Sequence, residues 1–434
     1  MKCKALRKFL ILLFTVVAVL PAYGVAPDTA TNTLTGISSP FTGAIAPNGS
    51  YVYTLGYTNS TLYKVNASNA TLIKTVALAS STSLRQIFFL PDGSAALYID
   101  ASNGTLVKIA TSNDSVTATT SVGSNPYNFA ISPDGLYAYV ALQSYPSSIK
   151  RYRTSDLALD TTYTLPIGVR YVAVSPDGSQ AYGVSATQAV PFNTITGVTG
   201  TPLTLGTCSA TNTVGYTVGG NFLYVICATP TSSVYKINTA TNSLSGSPIL
   251  LSNVSYMMAV SPDGSFIYFQ SYGANAIYKL RLSDDSITAT IPTGNGPYGI
   301  AISRDATFAY SFNYGSSSIT RINTGAVLSQ AVNSGLSLVG GGNSINYRTG
   351  GTIRLAISSP ASGADGKVTF FQNNKRIAGC INLMSVSNTV DCTYKPSIRG
   401  SIVLSARITP TSNLYLPSTS STINVNVVNR TGNR

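Results

Sequence analysis

The 434-residue chain contains no histidine, no glutamate and no tryptophan, and only 9% of it is charged. General acids and bases and most metal ligands come from His, Glu, Asp and Cys. Serine–histidine triads, histidine-based metal centres and glutamate pairs are therefore excluded. The 14 acidic residues are all Asp, and most fall in turn sequences. Asp28, Asp100, Asp160, Asp365 and Asp391 are scattered singly, with no spacing that suggests a dyad. No catalytic residue, metal site or cofactor is expected. Helical periodicity is missing beyond the first 24 residues, and no later apolar run is long enough to cross a membrane.

What the chain does have is one turn, written seven times. Its starts fall at 46, 90, 132, 175, 217, 261 and 303, a regular step of 42 to 44 residues. Such a step marks a repeat architecture. The fullest version is Ser132-Pro133-Asp134-Gly135. Proline presets φ, aspartate bonds back to the backbone, and glycine takes a positive φ. Tyr127 to Ile131 precedes this turn and Leu136 to Val140 follows it. Ser147 to Tyr152 makes a third strand, and Leu157 to Leu165 a fourth after the turn Thr154-Ser155-Asp156. Four short strands (a, b, c and d) in one repeat read as a propeller blade. The expected fold is all-β, with a seven-bladed propeller over residues 25–333. Thr33 to Ile37 stands where other repeats have strand d and is expected to complete the last blade. Ala326 to Val332 competes for the same edge.

The start of the chain is of another kind. Lys2, Lys4, Arg7 and Lys8 precede the apolar run Phe9 to Leu20, and Ala22 and Gly24 supply small residues for cleavage. Residues 1–24 read as a secretory signal, too short in its apolar part to span a bilayer. An exported protein is expected, whether periplasmic, surface-bound or extracellular. Residues 25–339 carry 13 basic and 12 acidic residues, whereas 340–434 carry 10 and 2. The basic excess belongs to the C-terminal part, where it suits a solvated surface or an anionic partner.

Several phrases resemble known families. The segment from Ile287 to Ser303, ITATIPTGNGPYGIAIS, together with Ser132-Pro-Asp-Gly, Ala138-Tyr139-Val140 and Asn238-Thr239-Ala240-Thr241-Asn242, resembles the YVTN family of bacterial and archaeal β-propellers. Blade 5 departs from it, with Val218-Gly219-Gly220 in the turn. The resemblance implies a seven-bladed fold and export, and little about activity. Residues 334–345, rich in Gly and Ser, read as a linker. Beyond it, Gly366 to Phe370, Leu404 to Ile408 and Asn413 to Ser421 resemble bacterial Ig-like repeats over 346–427, leaving 428–434 as a tail. Ile408 and Thr409-Pro410 replace that family's Tyr and Gly-Asp. Alternation such as Val368/Phe370 and Ile423/Val425 suits a β-sandwich by itself.

Four cysteines remain after the signal. The domain split pairs Cys208 with Cys227 and Cys380 with Cys392. Strand direction places Cys208 and Cys227 together on the face opposite the Pro-Asp-Gly turns.

Three groups of residues are candidates for function. The turn Asp residues, in the a–b turns and at Asp114, Asp156, Asp284 and Asp285 in the c–d turns, read as turn closers. Lys64, Lys108, Arg151, Lys236, Lys279 and Arg321 recur at one place in strand c, broken only by Pro191. They read as cations with heads in water or near the a–b turn Asp. Phe41, Arg85, Tyr127, Arg170, Asn212, Tyr256 and Tyr298 stand five residues before each turn, where strand a begins. They form a ring around one channel mouth. Aromatic faces with arginine suit sugars, aromatic ligands or anions; packing between blades is the competing reading. The expectation is a non-enzymatic binding or scaffold protein with an unidentified ligand, a carbohydrate or another surface protein, and no specific nucleic acid. The alternatives are a propeller enzyme of the lactonase or quinone-dependent dehydrogenase type, against which the missing His and Glu count, and a polyanion or nucleic-acid binder.

Overall fold

A computed structural model describes residues 28–325 except 144–146 and 254, and residues 334–428 except 340–341, 348–349, 358–365, 374, 382, 385–388, 411–417 and 421. The expected signal and the segment Ala326 to Val332 lie outside the described residues. Every regular element described is a β-strand.

Between residues 29 and 323 the strands form seven antiparallel sheets. Blade 3 shows the plan, with Pro126–Ile131, Tyr137–Leu142, Ser148–Arg153 and Leu159–Thr164 paired in order from the inside outward. The seven innermost strands pack each on the next, and the last, Pro297–Ile302, packs on the first, Pro40–Ile45. The result is a closed seven-bladed propeller. In the seventh blade Thr29–Thr35 takes the outer position beside Ser318–Asn323. The ring is thus closed by the N-terminal strand, which begins four residues earlier than the sequence placed it.

Strand alternation explains where the core lies. Successive side chains point to opposite faces of a sheet. In blade 3, Ala138, Val140 and Leu142 join the cluster shared with blade 2. Tyr139 and Ala141 between them join the cluster shared with blade 4. Seven apolar clusters result, one in each seam between neighbouring blades. Phe129, Phe192, Phe269 and Phe312 are fully buried in them, and each such side chain contributes roughly 1.5–3 kcal/mol by leaving water.

Residues 334–428 form two further sheets around a cluster of their own. One contains Ser334–Leu338, Gly351–Ile357 and Thr389–Tyr394; the other is built on Gly366–Gln372, Gly400–Pro410 and Ile423–Val428. Ile353, Leu355 and Cys392 of the first meet Phe370, Leu404 and Val425 of the second, which makes a β-sandwich. The linker read at 334–345 is corrected here. Ser334–Leu338 pairs with Gly351–Ile357, because Leu336 and Leu338 alternate with Ser337 and are buried despite the Gly and Ser around them. Ser344–Asn346 pairs in parallel with Ile423–Val428.

Cys208 is bonded to Cys227 and Cys380 to Cys392, with Cα separations of 5.7 and 5.6 Å. Cys227 pairs with Thr211 at the start of strand a, on the face away from the a–b turns.

Candidate functional site

The a–b turns frame one face of the channel. Asp134 Oδ1 accepts from Leu136 N at 2.9 Å and from Ser132 Oγ at 2.6 Å. Asp177, Asp263 and Asp305 accept equivalent bonds from Ser179, Ser265 and Thr307 N. Gly135 has φ 75°, and a Cβ there would come 2.8 Å from Pro91 of the preceding turn. The turns therefore interlock around the face.

The strand-c cations do not point to that face's Asp or simply to water, and here the sequence reading is corrected. Each reaches across a seam to the c–d turn of the next blade. Lys64 meets Asp114 at 2.8 Å and Lys236 meets Asp285 at 2.9 Å. Lys108, Arg151 and Arg321 donate to the carbonyls of Thr154, Thr194 and Ala67 at 2.7, 2.5 and 3.0 Å. Lys279 meets Asp28 at 2.7 Å and the Thr324 carbonyl at 3.1 Å. Cross-strand pairing sets a strand-b tyrosine directly opposite five of these cations: Tyr53, Tyr139, Tyr224, Tyr268 and Tyr310. Tyr53 donates to Asp114, and Tyr224 to Asp285 at 2.9 Å. Seam 4–5 has no cation, because Pro191 stands there; Tyr182 donates instead to Asn242 Oδ1 at 2.9 Å.

Asp114 and Asp285 are thus latches rather than turn closers. The neighbouring Asn113 and Asp284 close those turns, accepting from Ser115 N and Ser286 N at 3.1 and 3.2 Å. Asp156 closes its own turn, as expected, through Ala158 N at 3.1 Å. Burial works against ionisation of Asp114, but hydrogen bonds from Lys64, Tyr53 and Lys74 outweigh it and hold the carboxyl below its ordinary value. Burial, reinforced by the bond to Asp114, pushes the Tyr53 phenol well up. Both groups keep one protonation state across the neutral range, so the latch is permanent there.

The seven ring residues come together at one end of the axis, all half-buried. Phe41 stacks on Tyr298 at 3.9 Å between centroids, and Tyr256 stacks on the same ring at 4.4 Å. Arg85 lies 4.4 Å above Tyr127, and Arg170 approaches that ring at 5.9 Å. Asn212 donates to the Ser255 carbonyl at 2.7 Å. Burial pushes the Tyr298 phenol above its ordinary value. The aromatic faces are used on one another and on guanidinium groups. The space they enclose is about 20 Å³, room for about one water and not for a sugar ring. The ring is a collar that narrows this mouth.

Sequence reasoning missed the space beyond the collar. Two adjoining cavities of about 430 and 500 Å³ share Gly43, Phe88, Phe89, Met258 and Ile300 and open toward the a–b turns. Their walls are the inner-strand residues two to four places after each ring position, such as Ile131, Val174, Val214 and Val260. That spacing was the available signal. At the boundary with the collar, Asn128 donates to Gln86 at 2.7 Å and accepts from Val172 N at 2.8 Å, stitching three inner strands together. Of all the residues lining these cavities, Arg304 alone carries an ionisable side chain. Among the described residues no group of three His, Cys, Asp or Glu could hold a metal ion, and no helix is long and apolar enough to cross a membrane.

No protein-family profile matches the chain, and no curated protein matches it in sequence. Solved structures match it in number, 1564 chains in all, as befits a common architecture. One is the hydrazine synthase of Kuenenia stuttgartiensis, with TM-score 0.62 and 22% identity over 70% of this chain and 99% of that one. At that identity the similarity is one of fold, and the fold it supports is the propeller.

Proposed function

We propose that this chain is an exported, non-catalytic binding protein whose propeller holds an apolar or aromatic group of its ligand in the vestibule behind the a–b turns. One observation carries the reading: a vestibule of ligand size whose lining offers apolar side chains and, apart from Arg304, no ionisable one. Pockets of a few hundred Å³ with such walls suit binding, whereas acid–base chemistry needs a titrating group within reach of the substrate. The collar closes the other end, so ligand enters from the turn face. Two disulfides fit an oxidising compartment. The turn and strand phrases support a YVTN-type propeller, and the sandwich supports an Ig-like module that spaces or anchors it.

Titration with 8-anilinonaphthalene-1-sulfonate tests the reading. Native protein should give a saturable fluorescence increase. Met258→Trp/Ile300→Trp, which fills the vestibule, should abolish it, and Arg85→Ala on the collar should preserve it. No increase with native protein, or an equal increase with the filled variant, would overturn the reading.

A further inference from the structure

A second concave site lies in the sandwich, independent of the channel. It is a cleft of about 630 Å³ lined by Lys375, Arg376 and Lys395, with Gln372, Tyr394 and Ile398 among its other residues and no acidic side chain. One wall is the hairpin of Gly366–Gln372 and Lys375–Arg376; the other is the end of Thr389–Tyr394 and the turn after it. The walls are tied together in two places. The Cys380–Cys392 disulfide ties the chain just after the hairpin to Thr389–Tyr394, and Tyr394 donates its hydroxyl proton to Gln372. The cleft is therefore pre-formed.

Its cations meet no described acidic side chain. Elsewhere in the molecule, basic side chains such as Lys64, Arg151 and Lys236 are engaged with Asp. Asp391, the one acidic residue described in the sandwich, is already held by Arg354 at 2.7 Å. Among the described residues Lys375, Arg376 and Lys395 make no ion pair and are exposed. Three cations in one cleft, none of them paired with a described acid, form a local positive field.

We propose that this cleft binds a linear anionic polysaccharide, whose carboxylate or sulfate groups are held by Lys375, Arg376 and Lys395. A cleft admits a single extended chain, with charges repeated along it, whereas a flat bilayer or a broad nucleic-acid duplex would meet the rims. The exposed Ile398 side chain offers an apolar surface to the face of a sugar ring. Charge-assisted hydrogen bonds supply the affinity, and binding weakens as salt rises.

Full-length mature protein should be titrated with polygalacturonate and with dextran sulfate, with neutral dextran, phosphatidylglycerol vesicles and duplex DNA as comparisons. Binding to at least one anionic glycan is expected, falling between 50 and 300 mM salt, concentrations on the order of those over which screening sets in. Arg376→Gln/Lys395→Gln should weaken it about tenfold or more. The charge-matched Lys367→Gln/Arg407→Gln, on exposed positions away from the cleft, should leave it nearly unchanged. Melting temperatures should match across the three proteins. Equal weakening in both variants would show diffuse charge and overturn the site. So would binding to neither glycan, or equal or tighter binding to vesicles or DNA.

Discussion

At the seam between blades 1 and 2, Lys64 and Tyr53 reach a carboxylate buried in the next blade. At the seam between blades 4 and 5, Pro191 occupies the cation's place and the Tyr182 hydroxyl donates to the neutral Asn242. That second seam holds the Cys208–Cys227 bond in its apolar cluster. Thr211 Oγ1 also donates to the Ser185 carbonyl of blade 4 at 2.6 Å, beside the disulfide. A closed ring opens first at its weakest seam. Here the seam that lacks a strand-c cation is adjoined by a covalent loop, which limits what blade 5 gains by unfolding. The first device depends on pH and the second on redox state, so the two seams should fail under different conditions.

The largest effect should come from the covalent side of this contrast. Cys208→Ser/Cys227→Ser removes a crosslink spanning 19 residues, which the chain-entropy estimate puts at about 3 kcal/mol. Denaturant unfolding at pH 7 measures it, and a reductant should reproduce the loss in the propeller transition of the native protein but add nothing to that transition in the variant, whose remaining disulfide, Cys380–Cys392, lies in the sandwich. A change within error would mean that apolar packing alone holds the seam.

On the ionic side, Asp114→Ala strands Lys64 and Tyr53 without their shared acceptor. A largely buried pair broken from one end should lose about 2–3 kcal/mol. Asp114 is held below its unfolded value, so its contribution is complete above that value, about pH 3.9. It disappears as pH falls through the folded value. Native protein should therefore lose stability on acidification, and Asp114→Ala should lose less over the same interval. Asn242→Ala at the neutral seam should cost about 1 kcal/mol, with no change in the acid limb. If the two alanine variants lose equally at pH 7, the distinction between the seams fails.

The repeat made much of this legible in advance. Turn spacing counted the blades, a strand-like segment ahead of the first turn announced the closure, and strand direction brought Cys208 to Cys227. The cations of strand c were visible as a series, but their acceptors lie 43 to 50 residues further on in Asp114, Thr194 and Asp285. A period read along the chain does not reveal a contact made between its copies. Asp114 looked like Asp156 for the same reason: both occupy c–d turns, and only the neighbouring blade separates their roles. The collar was legible as a cluster, whereas its tightness depends on how far the inner strands stand apart. The strand at Ser334–Leu338 was hidden because glycine and serine are common to linkers and to edge strands.

The smallest effect concerns the ion pairs that stay within one blade. Arg153 meets Asp156 at 2.9 Å and Arg281 meets Asp284 at 2.9 Å, each three residues apart and about half exposed at both ends. The hydrogen bond from Arg153, with that from Ala158 N, pulls the Asp156 carboxyl down to about 2. The depression resembles that of Asp114 in direction. It differs in consequence, because at an exposed pair water screens the charges in the folded state and ordering two side chains offsets what attraction remains. Arg153→Ala should therefore leave the melting temperature at pH 7 within measurement error, in low salt and in 0.5 M salt alike. Its acid limb should overlay that of the native protein, while that of Asp114→Ala should not. A fall in melting temperature comparable to that of Asp114→Ala would show that proximity of charge, and not burial in a seam between blades, is what stabilises this propeller.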